Sequence, residues 1–506
     1  MKKVLAFIVG IFAVSALFAG CKESEEADPI VYGEPSAMIF WQEVEGVSGY
    51  EIACIRGKGI AEEDYISVSA EKNYYEFTDL VNNATYTYYV RGVKEDGSKT
   101  LPVTGSVVAN KSGPSLNVMA YFLDSASTLE EQSLHLAVTT DGLNWQALNG
   151  NKPVFTLSTI GGNRVRDPYI VKKADGTYLM IATDWTLYQN TGKLGNHRLY
   201  DGTISKEDSW NYETNSYWDV NTTCLIFADS DDMITWKNER QIQLVSDEAK
   251  KEFYKKNSNY QFCWAPEVVQ NNGKVIHTVN GKGYKYGVIW SGQGETDGTK
   301  SKSWNNKTKS YDYTYGHGTD YRRTFVNWTN DFETFTEPEV YFNPGNSNID
   351  ADVCDDGNGN FYIFYKDEFN VVGNSNPNIT VRSGGYYTLC ENKSTSLSPN
   401  SFNFNYVFNW NINYKTITKQ ANTPVYYNQG EGMFCFRPYK NQNLWYCVLD
   451  AHDAKQKKVF ALYQTTDFNT WTQNDNTSWP EGSIRHGSSV TASVEQISSL
   501  VKEFGF

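Results

Sequence analysis

A chain of 506 residues is too long for one ordinary domain, and its 40% hydrophobic and 21% charged content excludes a disordered polymer. A formal net charge of −14 excludes a surface built for nucleic acid, because phosphate backbones are met by clustered Lys and Arg. The 35 Tyr, 26 Phe and 14 Trp leave two readings for any one ring: β-strand packing, or a flat platform for a sugar.

The chain opens with Lys2 and Lys3 before the apolar run VLAFIVGIFAVSALF, the layout of a targeting signal. The run is too short and wrongly flanked for an ordinary membrane span. It ends in LFAGC, which resembles a bacterial lipobox, with Phe18 the less usual residue. That resemblance implies a signal peptide over 1–20, cleavage before Cys21, and lipids on that cysteine. The alternative is an ordinary secretory signal. The acidic tether over 21–33 contains KESEEAD, similar to the run that follows the lipidated Cys in Bacteroidetes-type surface lipoproteins. The expectation is a lipid-anchored outer-membrane protein, on the cell surface or facing the periplasm.

Residues 34–112 alternate apolar and polar in SAMIFWQEV and GVSGYEIACI, the pattern of a small β-sandwich with Trp41 in its core. LVNNATY resembles the fibronectin type III signature, in which a Tyr (here Tyr86) closes a corner after a Leu (here Leu80). No catalytic cluster falls here, so the segment reads as a spacer or weak binding module. NKSGPS at 110–115 is a linker by composition.

From 116 to 506 one signal recurs. TTDGLNW ends at Trp145, SDDMITW at Trp236, TNDFETF at Phe335 and TTDFNTW at Trp471, each with an acid four residues before the aromatic. Turns feeding aromatic-rich strands are interleaved: ADGTYLMIAT, DGNGNFYIFYKDE and NQNLWYCVLDAH. Such repeats predict four-stranded sheets around an axis, a β-propeller. The longest gap between repeats would hide a fifth blade, near NITVRSGGYYTLC. The fold class is therefore all-β, a five-bladed propeller preceded by a small sandwich; two β-sandwiches with similar turns are the alternative. Cys54, Cys224, Cys263, Cys354, Cys390, Cys435 and Cys447 form no CxxC pair, which argues against zinc and a disulfide framework, and most lie in apolar runs.

Inner strands of a propeller end in the axial channel, where acids from different blades converge. Asp167 stands before PYIVKK, Asp350 before a short apolar pair, Glu431 before GMFCF and Glu267 before VV. RDPYI, NIDADV, EGMFCF and RHGSSV, in that order and with WAPE after the first, resemble glycoside hydrolase family 43 over essentially all of 116–506. Asp350 is followed by Ala and Gly432 by Met where Pro is common, but both acids are intact.

The resemblance implies an inverting glycosidase. One carboxylate activates water, and one carboxylic acid, its pKa raised, protonates the leaving oxygen. By resemblance Asp167 is the general base, Glu431 the general acid and Asp350 the pKa modulator and orienter. Glu267 and Arg485 are expected to bind substrate, and Trp264 to stack on a sugar or fill its blade. His486 is expected near the axis, holding a metal such as calcium or an ordered water, or hydrogen-bonded as a channel histidine. Arg166 is read as pairing with an acid of a neighbouring blade or as a surface ion pair. No cofactor is expected to be required, and a structural calcium is left open. The expected partner is an oligo- or polysaccharide, acted on by a monomer. The implied activity is exo-acting on terminal sugars of plant-type polysaccharide, an α-L-arabinofuranosidase. The rivals are a β-xylosidase, a galactan-directed exo-enzyme, or a non-catalytic glycan-binding lipoprotein. Polar loops at 211–223 and 291–320 are expected to rim the pocket.

Overall fold

The computed structural model describes residues 33–506 except 58, 124–129, 159, 162–163, 187–209, 212–215, 218–219, 247, 250–261, 294–299, 306–309, 316–321, 344–347, 369–386, 403–407, 411–415, 419–429, 441 and 453–457. The signal, Cys21, residues 21–32 of the tether and about half of the predicted rim loops lie outside the described residues.

Five antiparallel sheets make the propeller. Blade 1 closes the ring: its inner strand Ile484–Thr491 comes from the end of the chain and pairs with Asn117–Leu123, followed by His135–Thr139 and Gln146–Ala147. Blades 2 and 3 begin at Arg166–Lys172 and Trp264–Gln270, blades 4 and 5 at Asn348–Asp355 and Gly430–Phe436. Sharing one sheet between the two ends of the propeller closes the ring of blades.

The recurrent sequence signal is the turn between the third and fourth strand of a blade. Asp141, Asp232, Asp331 and Asp467 each accept two backbone N–H groups, two and three residues on, at 2.7–2.9 Å. The hydroxyl two residues earlier (Thr139, Ser230, Thr329, Thr465) accepts the N–H just after the Asp at 2.8–3.0 Å. That following residue is left-handed in all four turns: Gly142, Met233, Phe332 and Phe468. With the turn's amides satisfied, Trp145, Trp236 and Trp471 are carried into the interior. In blade 4 serines replace the Asp: Ser394 Oγ accepts the Ser396 N–H at 3.0 Å and Ser401 Oγ donates to the Ser396 carbonyl at 2.8 Å. That is why this blade carries no acid-to-aromatic signal. Its third strand is Tyr387–Ser394, at the end of the stretch expected to hide a blade.

The N-terminal sandwich packs a four-stranded sheet with Val47–Ile55 and Thr85–Lys94 at its centre against the pair Ala37–Phe40 and Tyr74–Phe77. Trp41, Tyr50, Ile52 and Tyr88 fill its core, and Tyr86 Oη accepts the Val81 N–H at 2.8 Å. It is not a detached spacer. Met38 and Phe40 belong to one apolar cluster with Ile497, Leu500 and Val501 of the C-terminal helix Val494–Phe504, which also packs on blades 1 and 2. At this seam Asn73 is fully buried: its Nδ2 donates to the Ser498 carbonyl at 3.0 Å and its Oδ1 accepts from Ser498 Oγ at 2.6 Å. The linker is pinned as well, with Gln442 Nε2 donating at 2.6 Å to Asn110 Oδ1 and to Ser112 Oγ. Asn73→Ala takes the acceptor from the buried Ser498 hydroxyl and a second donor from the Ser498 carbonyl, a cost of about 1–3 kcal/mol. The expected result is a lower Tm by calorimetry, with kcat of the surviving folded protein unchanged.

Candidate active site

Each of the five inner strands carries a β-bulge at the same place. The register with the second strand shifts between Arg166 and Tyr169, Trp264 and Glu267, Ile349 and Asp352, Glu431 and Phe434, and Arg485 and Ser488. The residue inside each bulge is left-handed: Asp167 (φ 47°), Ala265 (45°), Asp350 (56°), Gly432 (56°) and His486 (35°). Bulges re-aim side chains, and left-handed backbone at non-glycine residues is uncommon and clusters at functional sites. Only blade 5 uses glycine there, for a steric reason: a Cβ on Gly432 would lie 2.5 Å from Cδ2 of His486.

The residue before the bulge faces a second-strand residue that reaches the next blade. Thr183 Oγ1 accepts the Ala265 N–H at 2.8 Å, and Ser291 Oγ accepts the Asp350 N–H at 2.9 Å. At the corresponding place in blade 4 Lys366 donates to Glu431 of blade 5, and in blade 5 Asp450 accepts the His486 N–H of blade 1 at 3.2 Å. In blade 1 the place is held by Phe122, whose ring lies 4.7 Å from the Arg166 guanidinium of blade 2. Arg166 is buried, so it is not a surface ion pair.

These staples bring the charges together. His486 stands between the acids, with Nδ1 3.2 Å from Asp167 Oδ1 and Nε2 3.7 Å from Asp350 Oδ2. Asp350 Oδ2 also accepts the Gly432 N–H at 3.2 Å. Ligand atoms of Asp350, Glu431 and His486 lie within 4.8 Å of one another. Glu431 accepts from both Lys366 Nζ and Arg485 Nη2. Burial would push the Glu431 carboxyl up, but Arg485 and Lys366 outweigh it and hold it well below the usual carboxylate range. This corrects the expectation of a raised pKa on the acid: two cations touch it. Burial lowers the His486 imidazole to about 4 against the pull of Asp167, so the ring is neutral at pH 7.

Glu267 lies two residues beyond its bulge residue, and with Asp167, Asp350, Met433 and His486 it lines one axial cavity. It shares a hydrogen bond with Asp352, which also accepts the Cys435 N–H at 2.8 Å. Burial, reinforced by the Asp352 charge, pushes the Glu267 carboxyl well above the usual range, and burial raises Asp352 as well, so the pair shares a proton. Arg485, expected to bind substrate, is directed instead at protein carboxylates: Nη2 to Glu431 and Nε to Asp450. Trp264 is half-buried, stacked on Phe262 with ring centres 3.9 Å apart and with the Arg322 guanidinium 5.1 Å from its ring.

The trio of Asp350, Glu431 and His486 does not fit a calcium ion. Glu431 already holds two cations, Arg485 Nη2 lies 3.2 Å from His486 Nε2, and calcium prefers an all-oxygen shell. Lys366, Asp450, Ser291 and Asp352 were not among the residues expected from sequence. Their signal is their register with the inner-strand bulges or their place two residues beyond one.

No curated protein matches the chain. Among solved structures it resembles a thermostable family-43 glycoside hydrolase at 14% identity, over 64% of this chain and 75% of that one, with a TM-score of 0.34. It also resembles the catalytic domain of the Coprinopsis cinerea GH62 α-L-arabinofuranosidase (13%, 65% and 78%, 0.31) and the endo-arabinase of Bacteroides thetaiotaomicron (13%, 63% and 82%, 0.36). Residues 116–496, the propeller almost entire, match the family-43-related family described as "Probable glycosyl hydrolase domain", and the chain belongs to that glycosidase family.

Proposed function

We propose that the protein is an inverting exo-glycosidase that removes terminal sugars from a plant-type polysaccharide, with an α-L-arabinofuranoside as its substrate. The observation that carries the inverting mechanism is the neutral imidazole of His486 standing between Asp167 on one side and the Asp350–Glu431 pair on the other. Inversion needs a base and an acid held apart with room for water, roughly 6.5–9.5 Å between carboxyl groups. Asp167 takes the proton of the attacking water, and Glu431 protonates the leaving oxygen. Asp350, a carboxylate within 4.8 Å, makes ionisation of Glu431 costlier. Lys366 and Arg485 pull the other way, so Glu431 gains its proton as bound substrate takes over part of their hydrogen bonding and excludes water. The exo action and the furanose preference rest on the family resemblance. Nitrophenyl arabinofuranoside, xyloside and galactoside, with proton NMR of the freshly released sugar, test this reading. Inverted configuration is expected, and retention overturns it.

The N-terminal sandwich is read as a fibronectin type III-like module, supported by the Tyr86 corner. Cys21 is proposed as the lipidated residue of an outer-membrane lipoprotein. Cys21→Ala should move the protein from the membrane fraction to the soluble fraction, or leave it unprocessed. Unchanged partitioning of that variant would refute the anchor.

A further inference from the structure

Asp450 stands where blades 2 and 3 carry Thr183 and Ser291, facing the residue before the bulge across the sheet. In those blades a neutral hydroxyl suffices to accept the next blade's bulge N–H. Blade 5 uses a carboxylate for the same task, although it is fully buried, and burying a charge is costly. The staple alone does not need it. What sets blade 5 apart is its surroundings. Asp450 Oδ2 accepts from Arg485 Nε, Oδ1 and Oδ2 lie 3.2 and 3.3 Å from the His486 N–H, and Oδ2 lies 3.6 Å from His486 Nε2. Its partner across the sheet is Glu431, which accepts from the Nη2 end of the same guanidinium.

We propose that Asp450 is a positioning residue: by holding the Nε end of Arg485 and the backbone of His486, it fixes how one guanidinium is divided between two carboxylates and so how readily Glu431 carries a proton. The proposal deepens the reading of Glu431 as the general acid and rests on it.

The groups that face Asp450 are Arg485 and His486 on blade 1 and Glu431 on blade 5, with Lys366 of blade 4 touching Glu431 from the far side. Burial pushes Asp450 up to about 7, with Arg485 opposing and Glu431 reinforcing the rise. Above that pH its negative charge draws Arg485 away from Glu431 and repels a second negative charge there, and both effects favour the protonated acid.

Two variants separate this role from a structural one. Asp450→Thr keeps an acceptor for the His486 N–H, as in blades 2 and 3, and Asp450→Asn keeps shape; neither can ionise. Both are expected to fold, with Tm within a few degrees of the parent. Their pH–rate profiles should coincide in shape with the parent's at acid pH. Above about pH 7 the alkaline limb should fall earlier, with a loss of about tenfold or more on alkyl glycosides and much less on dinitrophenyl glycosides. A parental alkaline limb and parental leaving-group dependence in Asp450→Thr would overturn the proposal. So would an equal loss on both substrates at every pH, the mark of a structural role. A readout independent of turnover is the carboxyl titration of Glu431 by 13C NMR, assigned with Glu431→Gln. In the parent its resonance should show a further inflection near pH 7, as Asp450 ionises and redraws the shared guanidinium, and none in either variant; the same curve in parent and variants also overturns the proposal. If the parent cleaves no glycoside, the glycosidase reading fails while the titration still decides the role of Asp450.

Discussion

Asp167→Asn should lower kcat by roughly 10²–10⁴-fold on every glycoside the protein cleaves, with good and poor leaving groups alike, because the attacking water loses its base whatever departs. Asn preserves the size of the side chain and an oxygen acceptor toward His486 Nδ1, now 3.2 Å from Asp167 Oδ1, so the bulge and the imidazole should stay in place. The loss is therefore expected in kcat, with KM little changed. No covalent glycosyl-enzyme should accumulate during turnover, and any glycosyl azide formed with added azide should have inverted configuration, since an inverting mechanism passes through no such intermediate. A loss confined to poor leaving groups would instead make Asp167 the proton donor and reverse the two roles.

How much of this was legible depends on how each residue meets its neighbours. The Thr139–Trp145 type of turn is local, closed by bonds between residues two or three apart, so four of five blades announce themselves in sequence. Blade 4 does not, because Ser394 and Ser396 do the work of the hydroxyl and the acid. Asp167, Asp350 and Glu431 were legible because each stands before a short apolar run in a motif resembling family 43, although the inner strands already include them and their places differ. Two occupy the left-handed position and Glu431 the position before it. Glu267 stands before such a run as well and yet lies two residues beyond its bulge, where it pairs with Asp352. Lys366 and Asp450 sit at the ends of aromatic-rich second strands and look like strand-end charges. Only sheet register and the packing of one blade on the next make them neighbours of Glu431. The docked sandwich was equally invisible, since Asn73 and Ser498 are separated by 425 positions.

The electrostatics around Glu431 lead to the other large effect. Glu431→Ala should cut turnover of alkyl glycosides by roughly 10²–10⁴-fold while sparing dinitrophenyl glycosides, whose leaving groups depart without a proton. Its neighbours should then shift the pH profile in opposite directions. Lys366→Met removes one of the two cations that hold the Glu431 carboxyl down. Its pKa rises, the protonated form persists further, and the alkaline limb of kcat, which reports the substrate complex, moves to higher pH. Asp350→Asn removes a negative neighbour within 4.8 Å, which lowers the same pKa and moves the limb to lower pH. A general base or a purely structural carboxylate at position 431 would not produce this pairing. If Glu431 were the base, its ionisation would govern the acid limb, and Lys366→Met would move that limb instead. Identical alkaline limbs in the parent, Lys366→Met and Asp350→Asn would remove Glu431 from the role of proton donor, even if Glu431→Ala were inactive.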